Sequence, residues 1–206
     1  MDPDPKAIAN LRRALSRWSE GLLQVGERMD PVRFVPDPAT GEPVMPVHAD
    51  VLMQDNLTLF IPEDTSDSLQ LLGAPVEIDP ARHAACDRHV AFFGRPNLTR
   101  WMLLDLESVR RDDIVLDAAE ITRGNPLAPF EPALCRGLNA RPDLLAAACR
   151  AALGTAPAAP VAVGVDPFGV TVRARFGVMR LDFSDEVLSP ADAHREIDEM
   201  LRKVAP

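Results

Sequence analysis

The stretch Arg82-His83-Ala84-Ala85-Cys86-Asp87-Arg88-His89 holds two of the chain's four histidines and one of its three cysteines. Imidazole suits iron and zinc, and a neutral histidine can serve as an axial ligand to haem iron. On a helix, His83 and Cys86 would share a face and His89 would fall away from it. In an extended run the two histidines would share a face and Cys86 would point to the other. Neither regular state turns all three toward one metal, although a loop could. Two readings follow. Either His83 or His89 ligates iron, or the pair captures a metal; or the run is a polar linker between strands, the commoner role for such residues. His48, in Pro46-Val47-His48-Ala49-Asp50-Val51, can face the same cavity or sit on a strand edge. Arg95 and Arg100, in Gly94-Arg95-Pro96-Asn97-Leu98-Thr99-Arg100, have the forked geometry that grips a carboxylate. Arginines so placed also commonly neutralise nearby Asp and Glu.

Other chemistries find less support. The chain has no GxSxG, GxxxxGK[ST], HExxH or GxGxxG pattern. Cys86 near His89 offers a thiol beside a base, but buried cysteines are more often inert. Asp112-Asp113 is a carboxylate pair at a strand end, where solvent is the usual neighbour. Cysteines 86, 135 and 149 are irregularly spaced, which argues against a disulfide framework and against a structural zinc site. The formal charge is −9. Residues 1–126 carry 13 basic and 21 acidic side chains, and residues 127–206 carry 9 and 10. Such an acidic protein, with no basic stripe, is expected to avoid nucleic acid. No run of 18 apolar residues is present, so no membrane span is expected, and the acidic, Pro-bearing start points to a cytoplasmic location.

These residues need elements to position them. Ile8, Leu11, Leu15, Trp18, Leu22 and Val25 recur at helical spacing and predict one long amphipathic helix, packed on a core or against a partner helix. From Val32 the pattern becomes short extended pieces broken by DPATGEP and QDN. Val44, Val47 and Val51 with Leu57, Leu59 and Ile61 are the expected strand cores. Strands are expected to continue through APVEI, HVAFFG, LTRWMLLDL and DIVLDAAEI. Three prolines and a glycine in TRGNPLAPFEP predict a boundary between a domain at 1–126 and a small one at 127–206. PALCRGLNARPDLLAAACRAAL reads as helix, interrupted at Arg141-Pro142. Apolar and polar residues alternate in VTVRA, marking a half-buried strand. Ser189-Pro190 opens a last helix with Ile197, Met200, Leu201 and Val204 on its buried side. The fold class expected is α+β, an antiparallel barrel-like domain followed by a helix–strand–strand–helix domain.

The order of helix, VAVGVDPFGVTVRA, FGVMRLDF and SPADAHREIDEMLRKV resembles the small domain that follows the flavin-type split β-barrel in bacterial haem-utilisation proteins. Upstream, GEPVMPVHADVLMQDNLTLFIPEDTSDSLQLLGAPVEI is similar to the first hairpin and connecting segment of pyridoxamine-phosphate-oxidase-like split barrels. The resemblance implies a split barrel, a homodimer with ligands at the subunit interface, and haem or flavin mononucleotide (FMN) as the ligand. In that picture His83, His89 or His48 reaches iron, and Arg95 or Arg100 reaches the propionates. Two departures stand out. The segment that would hold a flavin phosphate has Thr65, Ser66 and Ser68, but Glu63, Asp64 and Asp67 surround them, and carboxylates repel a phosphate. The family's histidine near the start of the appended domain is absent from Leu138-Asn139-Ala140-Arg141-Pro142-Asp143. Three functions remain. The first is haem or tetrapyrrole binding, with or without degradation of the ligand. The second is a cofactor-less binding or assembly subunit that uses its acidic face or the Ile8–Val25 helix against a protein partner. The third is FMN-dependent oxidoreduction.

Overall fold

The computed structural model describes residues 5–63, 65, 68–154, 157–175 and 177–204. It is an α+β protein that divides into two compact units, Met1–Val90 with Gly94–Gly124, and Ala91–Phe93 with Asn125–Pro206.

The first unit begins with α1 (Pro5–Ser16), followed by β1 (Glu20–Val25), β2 (Arg28–Arg33), β3 (Val35–Pro36) and β4 (Pro43–Val47). A 3-10 turn (Val51–Met53) leads to β5 (Leu57–Ile61) and β6 (Leu69–Glu77). Helix α2 (Ala84–Phe93) then precedes β7 (Arg100–Arg111), β8 (Ile114–Asp117) and the short α3 (Ala118–Ile121). The strands form one antiparallel sheet ordered β2-β1-β5-β6-β7-β4-β3, curled into a half-barrel. β7 is the long central strand. Its far edge is shared, with β4 pairing to its first half and β8 to its last. Between them the Leu106 amide donates to the Glu42 carboxylate (3.3 Å). Side chains alternate across such a sheet. Leu23, Leu59, Leu71, Met102, Leu104 and Met45 point to the inner face and are fully buried.

Three expectations are corrected here. The predicted Ile8–Val25 helix stops at Ser16, and its second half is strand β1. The apolar spacing runs on across the break, but Leu23 and Val25 alternate with exposed Gln24 as a strand requires, and a Cβ at Gly21 would lie 2.5 Å from the Phe60 carbonyl of β5. HVAFFG is not a strand; it ends helix α2, whose buried Ala85, Cys86, His89 and Phe92 recur at helical spacing. Val51 is buried in the 3-10 turn and not in a strand.

The second unit holds α4 (Glu131–Asn139), α5 (Pro142–Leu153), a sheet ordered β11-β10-β9, and α6 (Pro190–Arg202). Its strands are β9 (Val161–Asp166), β10 (Gly169–Ala174) and β11 (Gly177–Asp182). The helix does break at Arg141-Pro142, and Ser189 caps α6 by accepting from the Asp192 amide (3.2 Å). Ile197 and Leu201 are buried, with Met200 and Val204 packed partly buried beside them. On the other face of the sheet Arg180 makes a two-pronged ion pair with Asp166 (2.5 Å), and the Arg180 side chain is 11% exposed. Asn139 exchanges two hydrogen bonds with the Ala162 backbone (2.8 and 3.0 Å).

Candidate functional site

All five residues singled out for ligand chemistry lie in the first unit, and the structure gives them different surroundings. His89 is 2% exposed. Its Nε2 lies 3.1 Å from the Arg33 carbonyl, and its ring meets Trp101 edge-on with centroids 5.2 Å apart. A carbonyl can only accept, so Nε2 carries the proton and donates. Burial pushes the imidazole down to about 4, which keeps it neutral at ordinary pH. His89 thus joins α2 to the end of β2. Beside it, Cys86 is 3% exposed, and burial raises its thiol to about 11. A thiol held in that state is neither a nucleophile nor a thiolate ligand near neutrality.

Arg100 is exposed at the start of β7 and donates to Glu77 at the end of β6 (2.7 Å). It pairs in register with Val47, which places exposed His48 at the same end of the sheet. Arg95 is exposed in the loop after α2. Among the described residues Arg95 forms no ion pair with a carboxylate.

His83 differs from the other three histidines. It occupies the N-cap of α2, its backbone extended (φ −118°, ψ 109°) and its side chain 25% exposed. Its Nε2 lies 3.4 Å from Oδ2 of Asp37, a carboxylate only 7% exposed. Asp37 begins the turn between β3 and β4. Its Oδ1 accepts from the Ala39 and Thr40 amides (2.6 and 3.0 Å), an arrangement Asp favours because the short side chain mimics a backbone turn. Its own amide donates to the Glu42 carbonyl (2.7 Å), and its carbonyl accepts from Gly41 (2.8 Å). Gly41 is required here. Its φ of +86° disfavours other residues, and a Cβ would lie 2.5 Å from the Arg123 carbonyl. The carboxylate is therefore built into a rigid turn, with Oδ1 satisfied and Oδ2 turned to His83. The remaining imidazole nitrogen, Nδ1, is shielded from solvent and has no hydrogen-bond partner among the described residues.

Asp37 is the residue that sequence reasoning missed. DPATGEP reads as a reversal, and nothing in that run says which distant side chain its Asp would face. In the segment that would face a flavin phosphate, the hydroxyl-bearing Ser66 and the opposing carboxylates Asp64 and Asp67 lie outside the described residues. Ser68 is 1% exposed and donates its hydroxyl to the Thr65 carbonyl (2.8 Å). The Ser68 hydroxyl is thus engaged within the turn, while Thr65 is exposed.

No protein-family model matches the chain, and no curated protein matches it. Solved structures do. The protein Atu2129 of Agrobacterium tumefaciens, of unknown function, is 17% identical with a TM-score of 0.71, over 98% of this chain and 97% of that one. This is a likeness of fold. A haem-binding protein from Mycobacterium smegmatis is 19% identical over 98% of this chain and 99% of that one, but its TM-score of 0.42 is too low to support an argument.

Proposed function

We propose that the protein is a split-barrel-type tetrapyrrole binder of the haem-utilisation kind, with His83 as the imidazole that meets the iron. The observation that carries this is the state of the His83 ring. It is partly exposed, one nitrogen faces a buried carboxylate, and the other has no partner among the described residues. Ligating histidines characteristically have a carboxylate or carbonyl on the non-ligating nitrogen. A buried nitrogen without a partner costs on the order of 1–3 kcal/mol, so a group outside the chain is a natural partner for it. His89 is assigned the supporting role, since it is only 2% exposed while the His83 side chain is 25% exposed. Arg95 is the arginine better placed to meet a propionate, because Arg100 already holds Glu77. His48 is kept as a second imidazole at the sheet end. When bound, haem would supply the iron chemistry.

The test is reconstitution of the purified chain with haem and, separately, with FMN. One equivalent of haem is expected to give a Soret band, with no flavin band retained after gel filtration. His83→Ala is expected to weaken haem binding at least about tenfold, roughly 1.4 kcal/mol. Equal binding by wild type and His83→Ala would contradict the assignment.

A second reading is a cofactor-less subunit acting through another polypeptide or a second copy. One observation favours it. On the outer face of the first unit's sheet, Leu72 and Val76 of β6 are 39% and 42% exposed, with Phe60 and Leu103 half-buried on neighbouring strands. The Ile8–Val25 segment does not form one docking helix, because half of it is β1. Purified protein that takes up neither haem nor FMN, yet self-associates through this face, would support that reading instead.

A further inference from the structure

We infer that Asp37 is a positioning residue that fixes the His83 imidazole as the Nε2–H tautomer and so reserves Nδ1, with its lone pair, for a metal-bearing ligand. The role of His83 as ligand rests on the tetrapyrrole reading; the tautomer does not. A neutral imidazole has one N–H and one lone pair, and which nitrogen has which is set by what the other groups can accept. Oδ2 of Asp37 can only accept while the carboxylate is ionised, so it favours the proton on Nε2, 3.4 Å away. The carboxylate does not turn aside. Oδ1 is held by two amides, and the backbone of Asp37 is held on both sides by Gly41 and Glu42. Nothing among the described residues then takes the lone pair on Nδ1. At a helix N-cap the side chain usually accepts from an amide of the first turn. His83 does not; the Cys86 amide instead donates to the His83 carbonyl (3.0 Å), and no side-chain cap bond forms. The lone pair is thus left open at a position where a first-turn amide would ordinarily take it.

The discriminating variant is Asp37→Asn. Its amide oxygen can accept from Ala39 and Thr40 as before, which preserves the turn. Its NH2 then faces Nε2 and donates, which forces the proton onto Nδ1 and blocks that lone pair. The ring nitrogens are read by 15N NMR of histidine-labelled protein without haem. Wild-type His83 is expected as Nε2–H, and Asp37→Asn as Nδ1–H, with His89 unchanged as Nε2–H in both. In the haem titration, Asp37→Asn is expected to lose at least tenfold in affinity while its far-UV circular dichroism stays that of wild type. A wild-type His83 protonated at Nδ1, or one whose tautomer the variant leaves unchanged, overturns the inference. Should Asp37→Asn fail to fold, the wild-type NMR measurement decides alone. If wild type shows the expected tautomer but takes up no haem, the tetrapyrrole reading falls and the positioning role stands. If haem binds wild type and Asp37→Asn equally, the Nδ1 ligand role falls, whatever the tautomer.

Discussion

A buried histidine is a charge problem before it is a functional group. His89 sits neutral against the Arg33 carbonyl and Trp101, its imidazole lowered by burial to about 4 from an ordinary value near 6.5. In the unfolded chain it would gain a proton as pH falls through about 6.5; in the folded chain it resists until about 4. Over that window the unfolded state binds more protons, so stability falls as pH falls and this contribution levels off below about 4. The contribution is fully present above about 6.5. Denaturant unfolding at pH 7.5 and 4.5 is expected to show a smaller loss for His89→Gln than for wild type, because Gln keeps a donor but does not titrate. Identical pH dependence in the two proteins would remove His89 as the cause. The same residue-level view separates His83 from His89. Both were legible in the sequence as candidate ligands, but one ring is occupied by backbone and the other faces a carboxylate, and sequence spacing carries no trace of either partner.

At the scale of elements, the β3–β4 turn is what gives Asp37 its place. Gly41 closes that turn at φ +86° against the Arg123 backbone. Gly41→Ala is expected to cost about 2 kcal/mol or more, from left-handed strain together with the backbone overlap. Thermal unfolding would register this as a clear fall in midpoint, and a midpoint within a degree of wild type would contradict it. Much of the element order could be read from the chain: the reversals at DPATGEP and QDN, the break before Pro142, and the Ser189 cap with its Pro190. The misread elements have a common cause. Helical and extended spacings coincide over short apolar runs, so Leu22 and Val25 looked continuous with α1, and the bulky residues of HVAFFG looked like a strand. What decided each case was long-range. Gly21 has to pass close to β5, and His89 has to reach Arg33. Asp37 stayed hidden for the same reason, since a turn residue acquires its partner only when α2 is laid down near it.

At the scale of the molecule, the acidic chain presents an outer sheet face bearing Leu72 and Val76, next to Phe60 and Leu103. Exposed apolar groups gathered on one sheet face are a common mark of association, and under the second reading a homodimer forms there. Leu72→Glu with Val76→Glu places two unpaired charges in that contact. The pair is expected to raise the dimer dissociation constant by roughly a hundredfold or more. Sedimentation velocity would show it as a shift from dimer to monomer. A wild type that is already monomeric at tens of micromolar, or a variant that stays dimeric, would remove this face from the account.

The measurement that bears most directly on the central claim is a spectroscopic haem titration of wild type, His83→Ala and His89→Gln, side by side. The account predicts a one-to-one Soret transition for wild type, at least about tenfold weaker binding for His83→Ala, and near-wild-type affinity for His89→Gln at neutral pH. Three superimposable curves, or a loss confined to His89→Gln, would contradict it.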